Sequence, residues 1–140
     1  MLAVARSARR TLAAEKKTRV SLMNDRISQR LFALDSHIRY VAVNQSGQIV
    51  EMEQSPNWPS YNPPDTDRME ELVVNPVVLE LARRRGDLDL GGIRYVVIRY
   101  GMQYQLLFPY EQGHLSVGVE LGADVAEVAT KVAQHLGLSL

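Results

Sequence analysis

The run at residues 93–100, which reads IRYVVIRY, constrains the fold more than any other stretch of the chain. Successive side chains of a β-strand point to opposite faces, so Tyr95 and Val97 share one face while Val96 and Ile98 share the other. A strand with one solvated face alternates apolar with polar residues, but here both faces are mainly apolar. We therefore expect a sheet that is covered by helices on both sides.

The middle of the chain predicts a helix at residues 67–85. Residues 72–82 read LVVNPVVLELA, in which Asn75 and Glu80 are the only polar side chains. Pro76 predicts a kink or a restart, because proline cannot donate the backbone hydrogen bond of a helix interior. A helix that is apolar nearly all round needs cover on two sides. We expect the sheet on one side and a second subunit on the other.

The remaining patterns complete a single domain, as a chain of 140 residues permits. Apolar spacings of three and four predict a first helix from about Thr18, and a last helix is predicted from Asp124. Four further strands are predicted at residues 38–43, 48–54, 102–108 and 115–120. The order α-β-β-α-β-β-β-α predicts an α/β (α+β) three-layer sandwich, with a five-stranded antiparallel sheet and helices on both faces. This domain is expected to span residues 18–140.

The N-terminal part of the chain is basic. Residues 1–30 hold eight Lys or Arg and two acidic residues, whereas residues 31–140 hold eight basic and fourteen acidic residues. Residues 1–17 are interpreted as a basic extension. Such a start is typical of a mitochondrial presequence, of an arm for phosphates or acidic partners, or of a frayed helix end. We expect residues 1–14 to be dispensable for folding, because they hold little apolar surface.

The sequence carries no recognisable catalytic, cofactor or metal site. His37, His114 and His135 share no metal-ligand spacing, and cysteine is absent. Gly91 and Gly92 precede a strand, whereas the glycines of a phosphate loop open a helix. We expect a protein that is not an enzyme and that uses no cofactor or metal. Nucleic-acid binding is not expected of the acidic, sheet-bearing part, and the absence of a membrane span or secretory signal favours the cytoplasm.

Two surface segments are candidates for partner binding. Residues 55–64 read SPNWPSYNPP, and their prolines predict a structured loop in which Trp58 and Tyr61 either pack against the domain or present themselves to a partner. The second segment is the basic triplet Arg83, Arg84 and Arg85 near the end of the predicted central helix. These cations either complement the negative end of the helix or bind an anion.

Several of these segments together resemble the Roadblock (dynein light chain-like) family, within the profilin-like fold group. The similar segments are IRYVAV at residues 38–43 with the following Ser-Gly turn, the apolar central helix, IRYVV at residues 93–97 and LSVGV at residues 115–119. The match covers residues 18–137 and is most similar to small archaeal Roadblock-like proteins of unknown role. The proline-rich loop and the basic extension depart from the family pattern.

The resemblance implies a homodimer, in which the strands at residues 93–100 join edge to edge and the two central helices pair. Val73, Val77 and Leu81 lie on one side of the predicted helix, and Met69, Leu72, Pro76 and Leu79 lie toward another; one set packs on the sheet and the other on the twin helix. The side chains expected at the interface are Met69, Leu72, Val73, Pro76, Val77, Leu79, Tyr95 and Val97.

Members of the resembled family act as adaptors, regulators or scaffolds for small GTPases. We therefore expect a non-enzymatic dimeric interaction module, whose partner is a small GTPase or another signalling protein. The alternative is a small-molecule sensor of the PAS or GAF type. A sensor would hold its ligand in a sizeable pocket with convergent polar groups, whereas an interaction platform would have a filled core.

Overall fold

The computed structural model describes residues 26–58 and 64–140 of the chain. The expected extension at residues 1–17, the start of the first predicted helix and Tyr61 lie outside this part. The described elements are helix α1 (Ile27–Leu34), strands β1 (Ile38–Gln45) and β2 (Gln48–Gln54), helix α2 (Pro64–Met69), a π-helical turn (Glu70–Val74), helix α3 (Asn75–Asp89), strands β3 (Val96–Arg99), β4 (Tyr104–Tyr110) and β5 (Gly113–Val119), and helix α4 (Val125–Leu136). Residues 64–89 are called the central helix below.

The strands form one antiparallel sheet in the order β2-β1-β5-β4-β3. Helices α1 and α4 pack on one face of this sheet, where Leu31 and Val132 join a fully buried apolar cluster with strand residues. The central helix lies on the other face, where its Glu71 contacts Tyr40 of β1 and His114 of β5. The predicted α/β sandwich with a five-stranded antiparallel sheet and helices on both faces is therefore confirmed.

The main core lies between the sheet and the pair α1 and α4. Alternate side chains of the three middle strands point into it, and burying each Val or Leu is worth about 1.5–3 kcal/mol. The fully buried strand residues of this cluster are Ile38, Val41, Val43, Leu106, Phe108, Leu115, Val117 and Val119. The side chains between them face the central helix instead, and several of those are polar.

The run at residues 93–100 forms a shorter strand than predicted, β3, and it lies at the edge of the sheet. Its one neighbour within the described sheet is β4. Tyr95 precedes the strand and packs on Phe108, with 5.7 Å between the ring centroids. Val97 on the same face remains 39% exposed. The sequence analysis expects helices to cover both apolar faces of this strand. In the structure the strand instead forms a sheet edge that is only partly covered.

The central helix restarts at Asn75 with Pro76 in its first turn, one of the two outcomes predicted for this proline. It continues to Asp89, beyond the end expected at Gly86. Gly86 is buried inside the helix, and a Cβ atom there would lie 3.1 Å from the carbonyl carbon of Gly92. The glycine therefore allows the chain that leads to β3 to cross closely over the helix.

Local signals in two other places match the structure. Ser46 and Gly47 form the two-residue turn between β1 and β2 with φ values of 52° and 80°, the left-handed region that such hairpins require. Asp124 caps helix α4, since its carboxylate accepts a 3.2 Å hydrogen bond from the Glu127 backbone N–H. Gly137 closes this helix with φ of 68°.

Candidate functional site: an outer stripe, a buried polar hub and a side cavity

An apolar stripe runs along the outer surface of the central helix. We define this outer stripe as Met69, Leu72, Val73, Val77 and Leu81, which are between 45% and 64% exposed. Their exposure shows that they lie on the outer side of the central helix, and Met69 also lines the cavity described below. An uninterrupted apolar row on a protein surface marks an interaction site more often than isolated exposed side chains do.

The expected interface residues divide between this stripe and the interior. Leu79 is only 9% exposed and belongs to the buried part of the helix. Its burial does not support the expected contact with a twin helix. Pro76 and Tyr95 are partly buried. The division that sequence reasoning draws between two sides of the helix also differs from the structure, since Met69 and Leu72 point outward together with Val73.

Strand β3 has an outer edge that no other strand of the described sheet covers. The N–H of Tyr100 donates to the carbonyl of Gln103 at 2.9 Å, which makes that residue pair a hydrogen-bonded pair of the antiparallel ladder. Such pairs alternate along a ladder, so Ile98 is bonded to β4, and the N–H and C=O of Val97 and Arg99 point toward the open edge. This edge can accept a further strand.

A buried polar hub lies between the central helix and the sheet. Its centre is Glu71, whose side chain is fully buried. One carboxylate oxygen lies 2.7 Å from His114 Nε2 and accepts a 3.2 Å hydrogen bond from the Asn75 amide, and the other accepts a 3.1 Å hydrogen bond from the Tyr40 hydroxyl. The Asn44 amide donates to the backbone carbonyl of Glu71 at 3.2 Å.

The hub extends along β4 and β5. The Asn75 amide also lies 3.4 Å from the Ser116 hydroxyl, which accepts a hydrogen bond from Gln105. Within the described residues, the side-chain oxygen of Asn75 is buried without a hydrogen-bond partner. Asn75 has helical backbone angles and directs its amide into this hub.

Sequence reasoning misses this hub because its members are far apart in the chain. His114 shares no metal-ligand spacing with the other histidines in the sequence, yet it is buried against Glu71, 43 residues away in the chain. The available signal is the alternation of His114 and Ser116 with apolar residues along β5, together with Asn44 near the end of β1. A polar row inside a sheet predicts buried partners on the element that covers it.

A cavity of about 380 Å³ opens beside the hub, between the first turns of the central helix and one corner of the sheet. Its walls come from β1 and β2, from the helix between Thr66 and Val74, and from the turn that joins β3 to β4. The volume lies within the roughly 300–1,000 Å³ of typical ligand pockets. The protein therefore has a pocket between helix and sheet, in addition to its well-filled core.

Glu70 is a lining residue of the cavity whose carboxyl group has a shifted pKa. Burial, together with the neighbouring Glu71 and Asp67, raises the pKa of the Glu70 carboxyl to about 7. Each of these causes disfavours the ionised form, the first by removing water and the others by charge repulsion. Burial and the carboxylate of Glu71 also raise the pKa of the Tyr40 hydroxyl, which therefore stays protonated and donates to Glu71.

The two candidate partner segments have partners within the domain. Trp58 is partly buried, and its indole N–H donates to the Ser36 carbonyl at 3.3 Å. The Arg39 guanidinium lies 5.3 Å from the centre of the Trp58 ring and donates to the Met102 carbonyl at 3.0 Å. Trp58 thus lines the cavity, while Tyr61 lies outside the described residues.

The arginine triplet is exposed but paired with acids on its own helix. Arg83 contacts Glu80 and Asp87 at 2.7 and 2.9 Å, and Arg84 also contacts Glu80. Arg85 pairs with Asp89 one turn further on. These exposed pairs have the one-turn spacings that stabilise a helix surface. The paired acids neutralise most of the positive charge of the three arginines, so the structure does not favour an anion-binding site there.

The described part of the chain holds no cluster of three or more His, Asp or Glu side chains that could bind a metal ion. No helix in residues 26–58 and 64–140 has the length and hydrophobicity to cross a membrane.

Known structures share this architecture, although no protein-family model and no curated protein matches the chain. A Roadblock/LC7 domain from Streptomyces avermitilis matches with a TM-score of 0.56 at 19% identity, over 75% of this chain and 87% of that one. The chain has the Roadblock fold. Two further structures with similar folds are MglB in a tetrameric arrangement (TM-score 0.59, 15% identity, 79% and 82% coverage) and the gliding protein MglB from Thermus thermophilus (0.54, 13%, 77% and 84%). The resemblance to Roadblock proteins is confirmed as a likeness of fold.

Proposed function

We propose that the protein is a non-enzymatic homodimeric interaction module that regulates or scaffolds a small GTPase or another signalling partner. The observation that carries the dimer is the outer stripe of the central helix, which is continuous, apolar and about half exposed in the single chain. The GTPase partner rests on the resemblance to Roadblock proteins. It is supported by the fold likeness to a gliding protein and to MglB in a tetrameric arrangement.

Burial of the outer stripe does not by itself supply enough free energy for a stable dimer. Completing the burial of a half-exposed Val or Leu is worth about 1 kcal/mol, so the stripe side chains of two copies together contribute on the order of 10 kcal/mol. Association costs roughly 4–15 kcal/mol in lost freedom and ordering. The stripe alone therefore about balances the cost. Backbone hydrogen bonds between two β3 edges, at about 0.5–1.5 kcal/mol each, supply the surplus, so both surfaces belong to one interface.

Sedimentation equilibrium at low micromolar concentration tests the dimer. We expect twice the chain mass of 15.7 kDa for the natural protein and a monomer for Val77→Asp. Val50→Asp is a matched control, because Val50 on β2 is 56% exposed and Val77 is 55% exposed. A natural protein that sediments as a monomer refutes the dimer, and a V77D variant that stays dimeric refutes the role of the stripe.

The strand edge is tested separately by Val97→Pro. The Val97 N–H points away from β4, so proline removes a donor from the open edge without breaking a hydrogen bond among the described residues. We expect a folded monomer, with folding followed by circular dichroism. A folded, dimeric V97P variant would show that the β3 edges do not pair.

The regulator role is tested with purified small GTPases loaded with GDP or a non-hydrolysable GTP analogue. Interferometry should show that the protein binds the GTPase with an affinity that depends on the bound nucleotide and that the V77D substitution lowers. A GTPase panel that binds the natural protein in neither state would remove this part of the proposal while leaving the dimer intact.

The cavity favours a second candidate function, a small-molecule sensor. A pocket of about 380 Å³ lined by both polar and apolar side chains is the feature expected of that class. The two functions share Met69, but the other stripe residues do not line the cavity. The V77D variant therefore allows ligand binding to be measured separately from dimer formation.

A further inference from the structure

The side cavity has a lining that distinguishes one class of ligand. Its apolar part comes from Val74, Met69 and Met102, and aromatic rings of Trp58 and Tyr100 stand beside them. Its charged side chains include more acidic than basic groups. Among the described residues, those of the lining with a formal charge are Arg39, Asp67 and Glu70.

The single guanidinium in this lining is already engaged. Arg39 donates to the Met102 carbonyl at 3.0 Å and lies over the Trp58 ring. Asp67 is only 6% exposed, so it belongs to the wall more than to the mouth. The lining therefore carries two carboxyl groups for one cation, and that cation is held at the Trp58 side of the cavity.

Glu70 is the acidic side chain of the described lining that a ligand can reach. It is half-buried, it lines the cavity, and no donor within the described residues makes a hydrogen bond to its carboxyl group. Tyr100 lies close enough for the Glu70 charge to help burial raise the pKa of its hydroxyl. A carboxylate in such surroundings is stabilised most by a positively charged donor, because the Coulomb attraction strengthens as water is excluded.

We propose that the cavity binds a small organic cation, an ammonium or guanidinium group on a short apolar stem, with the charged head on Glu70 and the stem against Val74 and the two methionines. The inference rests on the second candidate function, a small-molecule site, and names its ligand class. The same head group occurs on free metabolites and on Lys or Arg side chains of proteins, and the test below separates these sources.

The test is calorimetric titration of the full chain with two isosteric probes, n-butylguanidinium and neutral n-butylurea. At pH 8 we expect the cation to bind at least tenfold more tightly than the urea, and Glu70→Gln to abolish this preference. Glu111→Gln is the control, since this exposed carboxyl lies in the β4–β5 turn, away from the cavity. The carbonyl of the neighbouring Gln112 contacts Ser46, which follows the end of β1 that does not line the cavity. Equal affinities for the two probes, or a preference that survives E70Q, would overturn the proposal.

A pH series adds a second readout. The n-butylguanidinium probe stays charged at all accessible pH values, so a change of its affinity with pH reflects a change of protonation in the protein. Because the Glu70 pKa is about 7, its ionised fraction rises roughly tenfold between pH 6 and pH 8, and the affinity should rise with it. The rise should be absent in E70Q, and a flat profile in the natural protein contradicts the assignment of Glu70.

The remaining outcomes separate the ligand class from the site. Tighter binding of butyrate than of either probe would overturn the cation class but keep a small-molecule site. No binding of any probe at millimolar concentration would overturn both. A capped Gly-Arg-Gly peptide that binds more tightly than butylguanidinium would support the class and assign the cation to a protein side chain, and the reverse order would assign it to a free molecule.

Discussion

Removing the carboxylate at the centre of the polar hub should destabilise the fold strongly. Glu71 is fully buried and contacts Tyr40, His114 and Asn75 at 3.1, 2.7 and 3.2 Å. A hydrogen bond to a charged group is worth about 1.5–3 kcal/mol, but truncation also relieves the desolvation of the carboxylate. Breaking a buried polar pair typically costs about 3–5 kcal/mol, and we expect Glu71→Ala to lower the free energy of unfolding by that amount.

Urea denaturation at pH 7, followed by circular dichroism, measures this loss. All variants are compared at one protein concentration, because self-association would add a concentration-dependent term to the stability. Glu111→Ala, which removes an exposed carboxylate, should change the free energy of unfolding by less than about 0.5 kcal/mol. An E71A variant within about 1 kcal/mol of the natural protein would refute the view that the hub stabilises the helix on the sheet.

Tyr40→Phe sharpens the same test. It removes one donor to Glu71 and should cost about 1.5 kcal/mol by itself. In the E71A background the hydroxyl has already lost that acceptor, so the same substitution should cost much less. Additive effects of the two substitutions would show that Tyr40 and Glu71 do not act through their hydrogen bond.

Two further predictions concern pH and the N-terminal extension. The raised pKa of Glu70, about 7 against an ordinary value of 4.5, means that the folded state holds this proton more tightly than the unfolded state, so its contribution to stability is lost as pH rises from about 4.5 to 7. The full shift corresponds to about 3.4 kcal/mol, which partial exposure reduces to about 1–2 kcal/mol. The stability gain of Glu70→Gln over the natural protein should therefore grow by that amount between pH 5 and pH 8 in urea titrations, and a constant difference would contradict it. Deleting residues 1–14 should lower the melting temperature by less than roughly 5 °C, about 1 kcal/mol for a domain of this size, and a larger fall in a thermal scan would show that these residues take part in the fold.

Local patterns are sufficient to predict the sheet and its helices. The alternation of β1 and β5 and the signal for helix α4 are each contained in fewer than about fifteen consecutive residues. Asp124 with Glu127, for example, specifies a helix start by a hydrogen bond between neighbours in the chain. Such features depend on local geometry, and the structure confirms them.

Features that depend on packing between distant segments are not predictable in this way. In the sequence, Glu71 resembles a charge that complements a helix end, because nothing near it indicates that His114 and Tyr40 surround it. The cavity has the same origin, since its walls come from three separate stretches of the chain. The structure differs from the predicted division between two sides of the central helix at Met69 and Leu72, which are exposed like Val73. The π-helical turn at Glu70–Val74 accounts for this, because it changes the angular position of the residues on either side of it.

That turn separates the central helix into two halves with different neighbours. A π-helical turn closes its hydrogen bonds over one residue more than an α-helical turn, so deleting one residue from it would restore a regular α-helix. Met69 before the turn and Val77 and Leu81 after it would keep their positions, while the residues of the turn itself, which include Glu70 of the cavity and Glu71 of the hub, would be redistributed. Single-residue length changes at this point therefore offer a route by which descendants of this chain could remodel the hub and the pocket wall while keeping both flanking helices in place.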